Sequence, residues 1–423
     1  MSFLGSVGGV GRVSTALLRH KLISATAGTA AAVIVAGCAF AATSAHASGQ
    51  EKLVNTGDSK QLRKSTASAA PSAPARPLRL LSVSPAGGTH NANGGAPITL
   101  TFSSALASAT PLPTIAPKIA GSWQVSGATA TFTPSSGFQP DTKVTLTVPG
   151  GMTGAAASAG TLGQSSKVTF TTGSYSTLGL QQLLTQLGYL PFTWTPTATT
   201  TSTATSTATT SGPATTAATG LNAAVSTAYA PQAGTFTFKP GYPSQLTSQW
   251  KVGQDNMLDQ GAIRAFESTE GLTMDGVAGP QVWADLLTAA GKNQLNPNGY
   301  SYALASQESP HESLKVWHNG KVILNTPANT GIPGANTADG TFPVYERLQF
   351  QIMKGTNPDG SKYADPVYWI SYFDGGDAVH YFDRPAYGYY QSLGCVELQW
   401  SPAKFIWPYL TYGTLVTVTG PVA

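Results

Sequence analysis

The sequence predicts a multidomain, mainly β fold in which a β-sandwich, a small α-helical domain and a C-terminal, mostly β domain follow one another. The chain has 423 residues, enough for about two to four domains of roughly 100–200 residues each. Hydrophobic periodicity changes along the chain from two residues to helical spacing and back. Charged residues make up only 10% of the chain, against roughly 25% in an average soluble protein. That composition favours an exported protein.

Residues 1–47 are expected to direct export. A positive region ends at Lys21, and an uncharged run follows from 22 to 45, longer than the roughly 18 residues that cross a bilayer. Val35-Ala36-Gly37-Cys38 resembles a lipobox, in which Cys38 would be lipidated. Ala45-His46-Ala47 instead fits ordinary signal cleavage, and retention of the run as an uncleaved anchor is the third alternative. All three predict an extracytoplasmic protein of the cell envelope that meets the membrane only through this segment or its lipid.

Residues 48–76 are predicted to be a flexible tether, because they are polar, contain prolines and lack an apolar period. The net charge of +4 depends largely on Arg12, Arg19 and Lys21, which precede the first acidic residue. The rest of the chain is therefore nearly neutral. It shows no basic footprint for nucleic acid, and no nucleic-acid partner is predicted.

Residues 77–174 show the strand period of two. Apolar and polar residues alternate at 98–102, and turn residues such as Pro134-Ser135-Ser136-Gly137 separate the runs. Short alternating strands with turn chemistry between them predict a β-sandwich. The stretch from Phe132 to Val148 resembles the bacterial Ig-like domains that act as spacers on envelope proteins. This resemblance implies a domain without catalytic residues.

Residues 175–291 switch to helical spacing. Four leucines lie at i, i+3, i+4 and i+7: Leu180, Leu183, Leu184 and Leu187. Asp259 is expected to cap a second helix that ends at Gly271. Pro280 is expected to open a third helix, with Gly291 after its end. Three helices with such apolar faces can share one small core.

The helical segments Gly261–Phe266 and Asp275–Trp283 resemble the peptidoglycan-binding domain of the three-helix type. A Thr/Ser-rich insertion, at about 193–250, separates the first two helices and departs from that family. Its low-complexity part, 193–219, is predicted to be disordered. The apolar side chains of the helices are interpreted as core rather than as ligand contacts.

Residues 298–420 return to strand alternation. Asn319-Gly320 lies between two apolar runs and is a strong signal for a two-residue hairpin turn. Val367–Phe373 and Leu415–Val418 are expected to be further strands. Together these patterns predict a compact, mostly β domain.

Cys395 is the candidate nucleophile of this last domain. The chain has two cysteines, and export leaves Cys395 without a partner once Cys38 is lipidated, removed or kept in the membrane. An unpaired thiol outside the cell is either accidental or reactive. Because the thiolate is the nucleophile, a catalytic cysteine needs a base or a cation nearby. His380, a short distance upstream, is the candidate base.

The order of landmarks in this domain resembles that of the YkuD-like L,D-transpeptidase catalytic domain. The landmarks are Thr330-Gly331, Thr337–Phe342, His380 and the Ser392-Leu393-Gly394-Cys395-Val396 segment. The resemblance covers about Tyr300 to Gly420. It implies that Cys395 attacks the diaminopimelate–D-Ala amide of a peptidoglycan stem peptide, and that an amine of a neighbouring stem resolves the thioester.

The resemblance also implies roles for the neighbours of Cys395. His380 would accept the thiol proton, with its second ring nitrogen oriented by the carbonyl of Tyr381. Backbone N–H groups from Leu393 to Cys395 would form an oxyanion hole, in which Gly394 permits close approach and Ser392 positions the loop. Carbapenem β-lactams would be covalent inhibitors. No metal and no other cofactor is implied.

Three positions depart from the family pattern: Leu393 replaces a second histidine, Glu397 replaces Arg or Asn, and Ala338 replaces Pro. The reversed charge at Glu397 leaves recognition of the donor carboxylate to another cation, for which Arg384 is the candidate.

Tyr387 and Tyr389 are candidates to line the substrate path. A papain-like protease is excluded because no histidine follows Cys395. A wall-binding scaffold with a degenerate catalytic domain and an L,D-carboxypeptidase remain alternative functions.

Overall fold

The computed structural model describes residues 76–156, 159–197, 213–308 and 310–420, and it describes the side chains of the third range from residue 220 onward. The predicted export segment 1–47, with Cys38, lies outside the described residues, as does nearly all of the tether at 48–76. Within the described ranges, no helix is both long and apolar enough to cross a membrane.

A β-sandwich forms the first described part of the chain, which confirms the predicted fold. Its strands are β1 Arg76–Leu78, β2 Leu80–Ser84, β3 Ile98–Phe102, β4 Thr114–Ala116, β5 Gly121–Ser126, β6 Thr129–Pro134, β7 Lys143–Val148, β8 Ala159–Leu162 and β9 Ser166–Thr171. One sheet has the order β2-β3-β6-β5 and the other β4-β7-β9, while β1 pairs with β8. The alternation in β3 buries Ile98, Leu100 and Phe102 in the core, as expected for a strand with one covered face.

The second part is helical with one small hairpin. Its elements are α1 Thr177–Gln186, β10 Phe192–Pro196, α2 Pro213–Tyr229, β11 Gly234–Phe238, α3 Ser244–Thr247, α4 Met257–Glu270 and α5 Pro280–Lys292. The leucine stripe of α1 is buried, as the helical period predicts. Gly271 ends α4 in the left-handed conformation at φ 71°, and Pro280 opens α5, both as predicted.

Two predicted helix boundaries are wrong. Asn256 caps α4 by accepting a hydrogen bond from the Leu258 amide at 3.0 Å, whereas Asp259 lies fully buried in the first turn. Gly291 lies inside α5, and Asn293 ends that helix at φ 53°. A Cβ atom on Gly291 would lie 2.8 Å from the backbone nitrogen of Leu221 in α2. Gly291 therefore permits close packing of two helices rather than ending one.

The insertion at 193–250 is more ordered than its composition predicts. Residues 193–196 belong to β10, which pairs with β11, and residues 213–219 belong to α2. The remaining low-complexity residues, 198–212, lie outside the described part. Helix α2 forms in spite of its Thr-rich sequence because α1 and α5 pack against it, burying Val225 and Ala228. Tertiary packing has overridden local propensity here.

The helices do not have a core of their own. Their buried side chains form one cluster with Tyr302, Trp317 and Leu415, which belong to strands of the C-terminal domain. The helical part thus packs directly on the back of a sheet in that domain. The predicted core role of the apolar helix residues is observed, whereas glycan binding by these helices remains a prediction.

The C-terminal domain contains eleven strands and one helix in the described chain: β12 Ser301–Ser306, β13 Ser313–His318, β14 Lys321–Pro327, β15 Thr330–Gly331, β16 Gly340–Pro343, β17 Glu346–Thr356, β18 Lys362–Asp374, β19 Asp377–Tyr381, β20 Tyr390–Ser392, β21 Val396–Leu398, α6 Trp400–Ile406 and β22 Leu415–Thr419. One sheet has the order β14-β13-β12-β22-β16 and another β17-β18-β19-β21. Asn319 and Gly320 both have positive φ, at 48° and 78°, the geometry of the predicted hairpin turn. A second core fills the space between the two sheets and α6.

Candidate active site

Two neighbouring strands bring Cys395 and His380 to one face of a sheet. β19 pairs in parallel with β21, so that His380 lies beside Glu397. Cys395 comes directly before β21 and lies two residues from Glu397. Because side chains two residues apart share a face of a strand, Cys395 lies on the same face as Glu397 and His380. All three line one open cleft of about 970 Å³.

His380 is arranged to accept a proton. Its side chain is buried, and Nδ1 lies 2.9 Å from the carbonyl oxygen of Tyr381. A carbonyl can only accept, so Nδ1 donates and Nε2 keeps its lone pair. Burial lowers the pKa of His380, against the opposing effects of the Tyr381 carbonyl and Glu397. The ring is therefore neutral at neutral pH, the state a general base requires.

Cys395 is a free thiol whose sulfur lies 3.9 Å from the carbonyl oxygen of Gly376. The pKa of Cys395 is raised to about 12, mainly by burial and also by the charges of Asp377 and Glu397, against the opposing effect of a hydrogen bond from the backbone of Ala378. The resting thiol is thus protonated at neutral pH. Both side chains are therefore uncharged at neutral pH, so the sulfur has to lose its proton as it attacks.

The loop before Cys395 is held by Ser392. The Ser392 hydroxyl donates to the carbonyl of Cys395 at 2.6 Å and accepts from the Gly394 amide at 3.2 Å. Gly394 adopts φ 119°, and a Cβ atom there would lie 2.2 Å from Oδ1 of Asp377. The position therefore requires glycine. Since the Gly394 amide is engaged, the amides of Leu393 and Cys395 remain as the candidate oxyanion donors of this loop.

Arg384 lies in the cleft but is already paired. Its Nε donates to Glu397 Oε2 at 2.8 Å, and its Nη2 donates to Glu397 Oε1 at 2.7 Å. Nη2 also donates to the carbonyl of Gln391 at 2.9 Å. The negative charge that departs from the family pattern is thus neutralised within the site. Recognition of a donor carboxylate by Arg384 therefore stays a prediction, and it would have to be made by a guanidinium that already binds Glu397.

The structure does not bring the two candidate tyrosines to the cleft. The Tyr387 hydroxyl donates to the carbonyl of Phe382 at 2.6 Å, which fixes its own loop. The Tyr389 side chain is exposed, and its amide donates to Asn329 at 3.4 Å. Neither residue is among those that line the cleft.

The β17–β18 hairpin forms a wall of the cleft that sequence reasoning missed. Its lining residues alternate along β18 and include residues of both strands: Gln351, Met353 and Lys354 of β17, and Tyr363, Asp365 and Val367 of β18. The alternation is visible in the sequence, but only strand pairing shows which face meets Cys395.

Asp377 was also missed in the sequence. Burial raises its pKa to about 6, and its side chain accepts a hydrogen bond from the Ala338 amide at 3.3 Å. Ala338, which replaces the usual proline, therefore supplies a donor that proline lacks. Within the described chain, no group of three or more His, Cys, Asp or Glu residues is placed to hold a metal ion.

Comparison with known proteins assigns two of the domains. Residues 302–418 match the family model of the L,D-transpeptidase catalytic domain, and residues 74–172 match that of a bacterial Ig-like domain. No curated protein sequence matches the chain.

Solved structures of L,D-transpeptidases are similar to parts of the chain. The catalytic domain of the E. faecium enzyme is 30% identical, covering 28% of this chain and 96% of that one, with a TM-score of 0.26. An L,D-transpeptidase from Mycobacterium smegmatis is 14% identical, covering 82% of this chain and 100% of that one, with a TM-score of 0.26. An L,D-transpeptidase in complex with imipenem is 13% identical with the same coverages, 82% and 100%, and a TM-score of 0.27. Because these TM-scores are low, the assignment rests on the family models.

Proposed function

Since the chain belongs to the L,D-transpeptidases through its catalytic domain at residues 302–418, we propose that it cross-links peptidoglycan by cysteine-dependent acyl transfer. The donor is a stem tetrapeptide, and the bond broken joins diaminopimelate to the terminal D-Ala. The acceptor is an amine of a neighbouring stem. The enzyme acts outside the cytoplasm, where this polymer lies, and the Ig-like domain serves as a spacer.

In the acylation step, the Cys395 sulfur attacks the donor carbonyl while its proton moves to Nε2 of His380. The amides of Leu393 and Cys395 stabilise the negative charge that develops on the carbonyl oxygen. The C–N bond then breaks, and D-Ala leaves with the proton returned from His380. Starting from two neutral groups, this route avoids a free thiolate, which the raised pKa of Cys395 disfavours.

In the second step, the acceptor amine attacks the thioester and its proton passes through His380 to the departing sulfur. If water reaches the thioester first, the same site acts as an L,D-carboxypeptidase. Both outcomes use the same residues and differ only in the nucleophile that the cleft admits.

One observation carries this proposal. A buried, neutral histidine, whose Nδ1 is fixed by the Tyr381 carbonyl, shares a cleft with an unpaired cysteine. The proton acceptor and the nucleophile are the minimum that covalent acyl transfer requires.

A wall-binding scaffold with a degenerate catalytic domain is the second candidate. The raised pKa of Cys395, with Asp377 and Glu397 nearby, is the observation that favours it, because carboxylates disfavour a thiolate. Transfer and scaffold functions differ in one measurable property, the reactivity of the sulfur.

Carbapenem labelling tests the proposal, because one of the similar solved structures is an L,D-transpeptidase in complex with imipenem. We expect the intact mass of the purified protein to rise by one carbapenem. Cys395→Ala should abolish the adduct, and His380→Gln should slow its formation by about 10²–10⁴-fold, the usual contribution of a general base. Absence of any adduct on the folded wild-type protein would favour the scaffold.

A further inference from the structure

The cleft contains one carboxylate whose role the acylation chemistry leaves unexplained. Four carboxylates line it: Asp359, Asp365, Asp377 and Glu397. Glu397 is paired with Arg384, Asp377 accepts from the Ala338 amide, and Asp359 accepts from the amide and hydroxyl of Ser361. Asp365 has no hydrogen-bond or ion-pair partner within the described residues.

Asp365 lines the same cleft as the nucleophile Cys395. On β18, residues 363, 365 and 367 line the cleft, while the residues between them do not. Asp365 is opposite Met353 of β17, which lines the same wall. The Tyr363 pKa is raised first by burial and then by the charges of Cys395 and Asp365. Tyr363 therefore lies within electrostatic reach of both the sulfur and the carboxylate.

A half-buried carboxylate without an internal partner is suited to a ligand that carries a positive charge or N–H donors. A charge-assisted N–H···O⁻ bond is stronger than a neutral one, and desolvation in a cleft increases its effect. An anionic donor group would instead be repelled. Of the two substrates in the proposed reaction, the acyl acceptor brings a primary amine to the thioester.

We propose that Asp365 binds the amino group of the acyl acceptor and directs it to the thioester on Cys395. This inference rests on the proposed function. The carboxylate attracts the amine in its ammonium form and, after a proton is lost to water, accepts one N–H of the neutral amine, which leaves the lone pair free to attack. The nitrogen forms the new amide bond, the C–S bond breaks, and the second proton passes through His380 to sulfur. Asp365 thereby favours amine over water as the nucleophile.

The test separates acylation from the choice of nucleophile. The wild-type protein and Asp365→Asn are acylated by a carbapenem, with the rate read by intact mass. In a second assay they receive a tetrapeptide donor and an amine acceptor, and the transfer and hydrolysis products are quantified. Glu346→Gln is the matched control, because Glu346 is an exposed carboxylate on the same hairpin outside the cleft lining.

We expect Asp365→Asn to keep the carbapenem acylation rate and to lose transfer relative to hydrolysis by about 10- to 100-fold, the effect of one hydrogen bond to a charged group. Glu346→Gln should match the wild type in both assays. A transfer-to-hydrolysis ratio unchanged in Asp365→Asn would overturn the inference, as would an equal loss of acylation and transfer, which indicates a structural role. Failure of the wild-type protein to be acylated would instead refute the proposed function.

Discussion

The pair formed by Arg384 and Glu397 predicts a measurable loss of stability when one partner is removed. Glu397 is only 5% exposed and Arg384 28% exposed, and two hydrogen bonds join them. Arg384→Ala leaves a buried carboxylate without its counter-charge, for which the usual cost is about 3–5 kcal/mol. Since Arg384 is partly exposed, water can replace some of its interaction. We therefore expect the free energy of unfolding to fall by about 3 kcal/mol.

A double-mutant cycle isolates this interaction. Glu397→Gln removes the charge but keeps an amide of similar shape, so adding it to Arg384→Ala should recover about 2 kcal/mol, because no buried charge is then left unpaired. Arg79→Ala, at an exposed arginine of the sandwich, is the control and should stay within about 0.5 kcal/mol of the wild type.

Urea denaturation followed by tryptophan fluorescence measures these differences, because Trp369 contacts both Trp400 and Trp407 within the catalytic domain. A cost below about 1 kcal/mol for Arg384→Ala would refute the reasoning, since that is the value of an exposed ion pair. The reasoning would also fail if Glu397→Gln restored no stability to Arg384→Ala, because the Glu397 carboxylate would then be solvated.

Three further predictions concern pH and packing. Because burial lowers the pKa of His380 below its ordinary value of 6.5, carbapenem acylation should rise with pH through a midpoint below pH 6.5 and then level off. A continued tenfold rise per pH unit up to pH 9 would instead indicate attack by a free thiolate. Burial raises the pKa of Asp259 from 3.8 to about 7, so the folded state prefers the protonated carboxyl group. The protonated group's contribution to the free energy of unfolding is fully present below pH 3.8 and is lost as pH rises through about 7. In Asp259→Asn, the melting temperatures at pH 5 and pH 8 should differ less than they do in the wild type. An unchanged difference between the two melting temperatures would contradict this prediction. Gly291→Ala should lower the free energy of unfolding by about 1–3 kcal/mol through overpacking, because its Cβ would lie 2.8 Å from the Leu221 backbone. Urea denaturation of Gly163→Ala, where the added Cβ has nothing within 4 Å, provides the comparison.

Local patterns predicted the elements whose stability depends on neighbours in sequence. The alternation at 98–102 became a strand with one buried face, the four leucines of α1 became a buried stripe, and Asn319-Gly320 became a hairpin turn. Cys395 and His380 were also predicted from sequence, because an unpaired thiol with an imidazole upstream is chemically unusual and the segments around both residues resemble a known catalytic domain. In each case the required information lies within a few residues.

Contacts between residues distant in sequence determined the helix boundaries and the one helix that local patterns did not predict. Asp259 looked like a helix cap, but Gln181 of α1 donates to its carboxylate at 2.9 Å and keeps it buried. Gly291 was predicted to follow the end of a helix, but it lies inside α5, where the close approach of α2 leaves no space for a side chain. Helix α2 itself lacks a sequence signal because its partners, not its own residues, supply the stabilising contacts.

The amino-acid sequence alone predicted the order of the domains, the strand and helix periods and the candidate nucleophile and base, Cys395 and His380. Only the tertiary structure decided that Arg384 neutralises Glu397, that Tyr387 and Tyr389 lie outside the cleft lining, and that Asp365 shares the cleft with Cys395 and has no hydrogen-bond or ion-pair partner among the described residues. The physical reason is that periodicity records which face of an element is apolar, whereas a charge or a hydrogen-bond donor acquires its role from groups that strand pairing brings beside it. Those groups are distant in sequence, and their contacts exist only after the sheets and helices have packed.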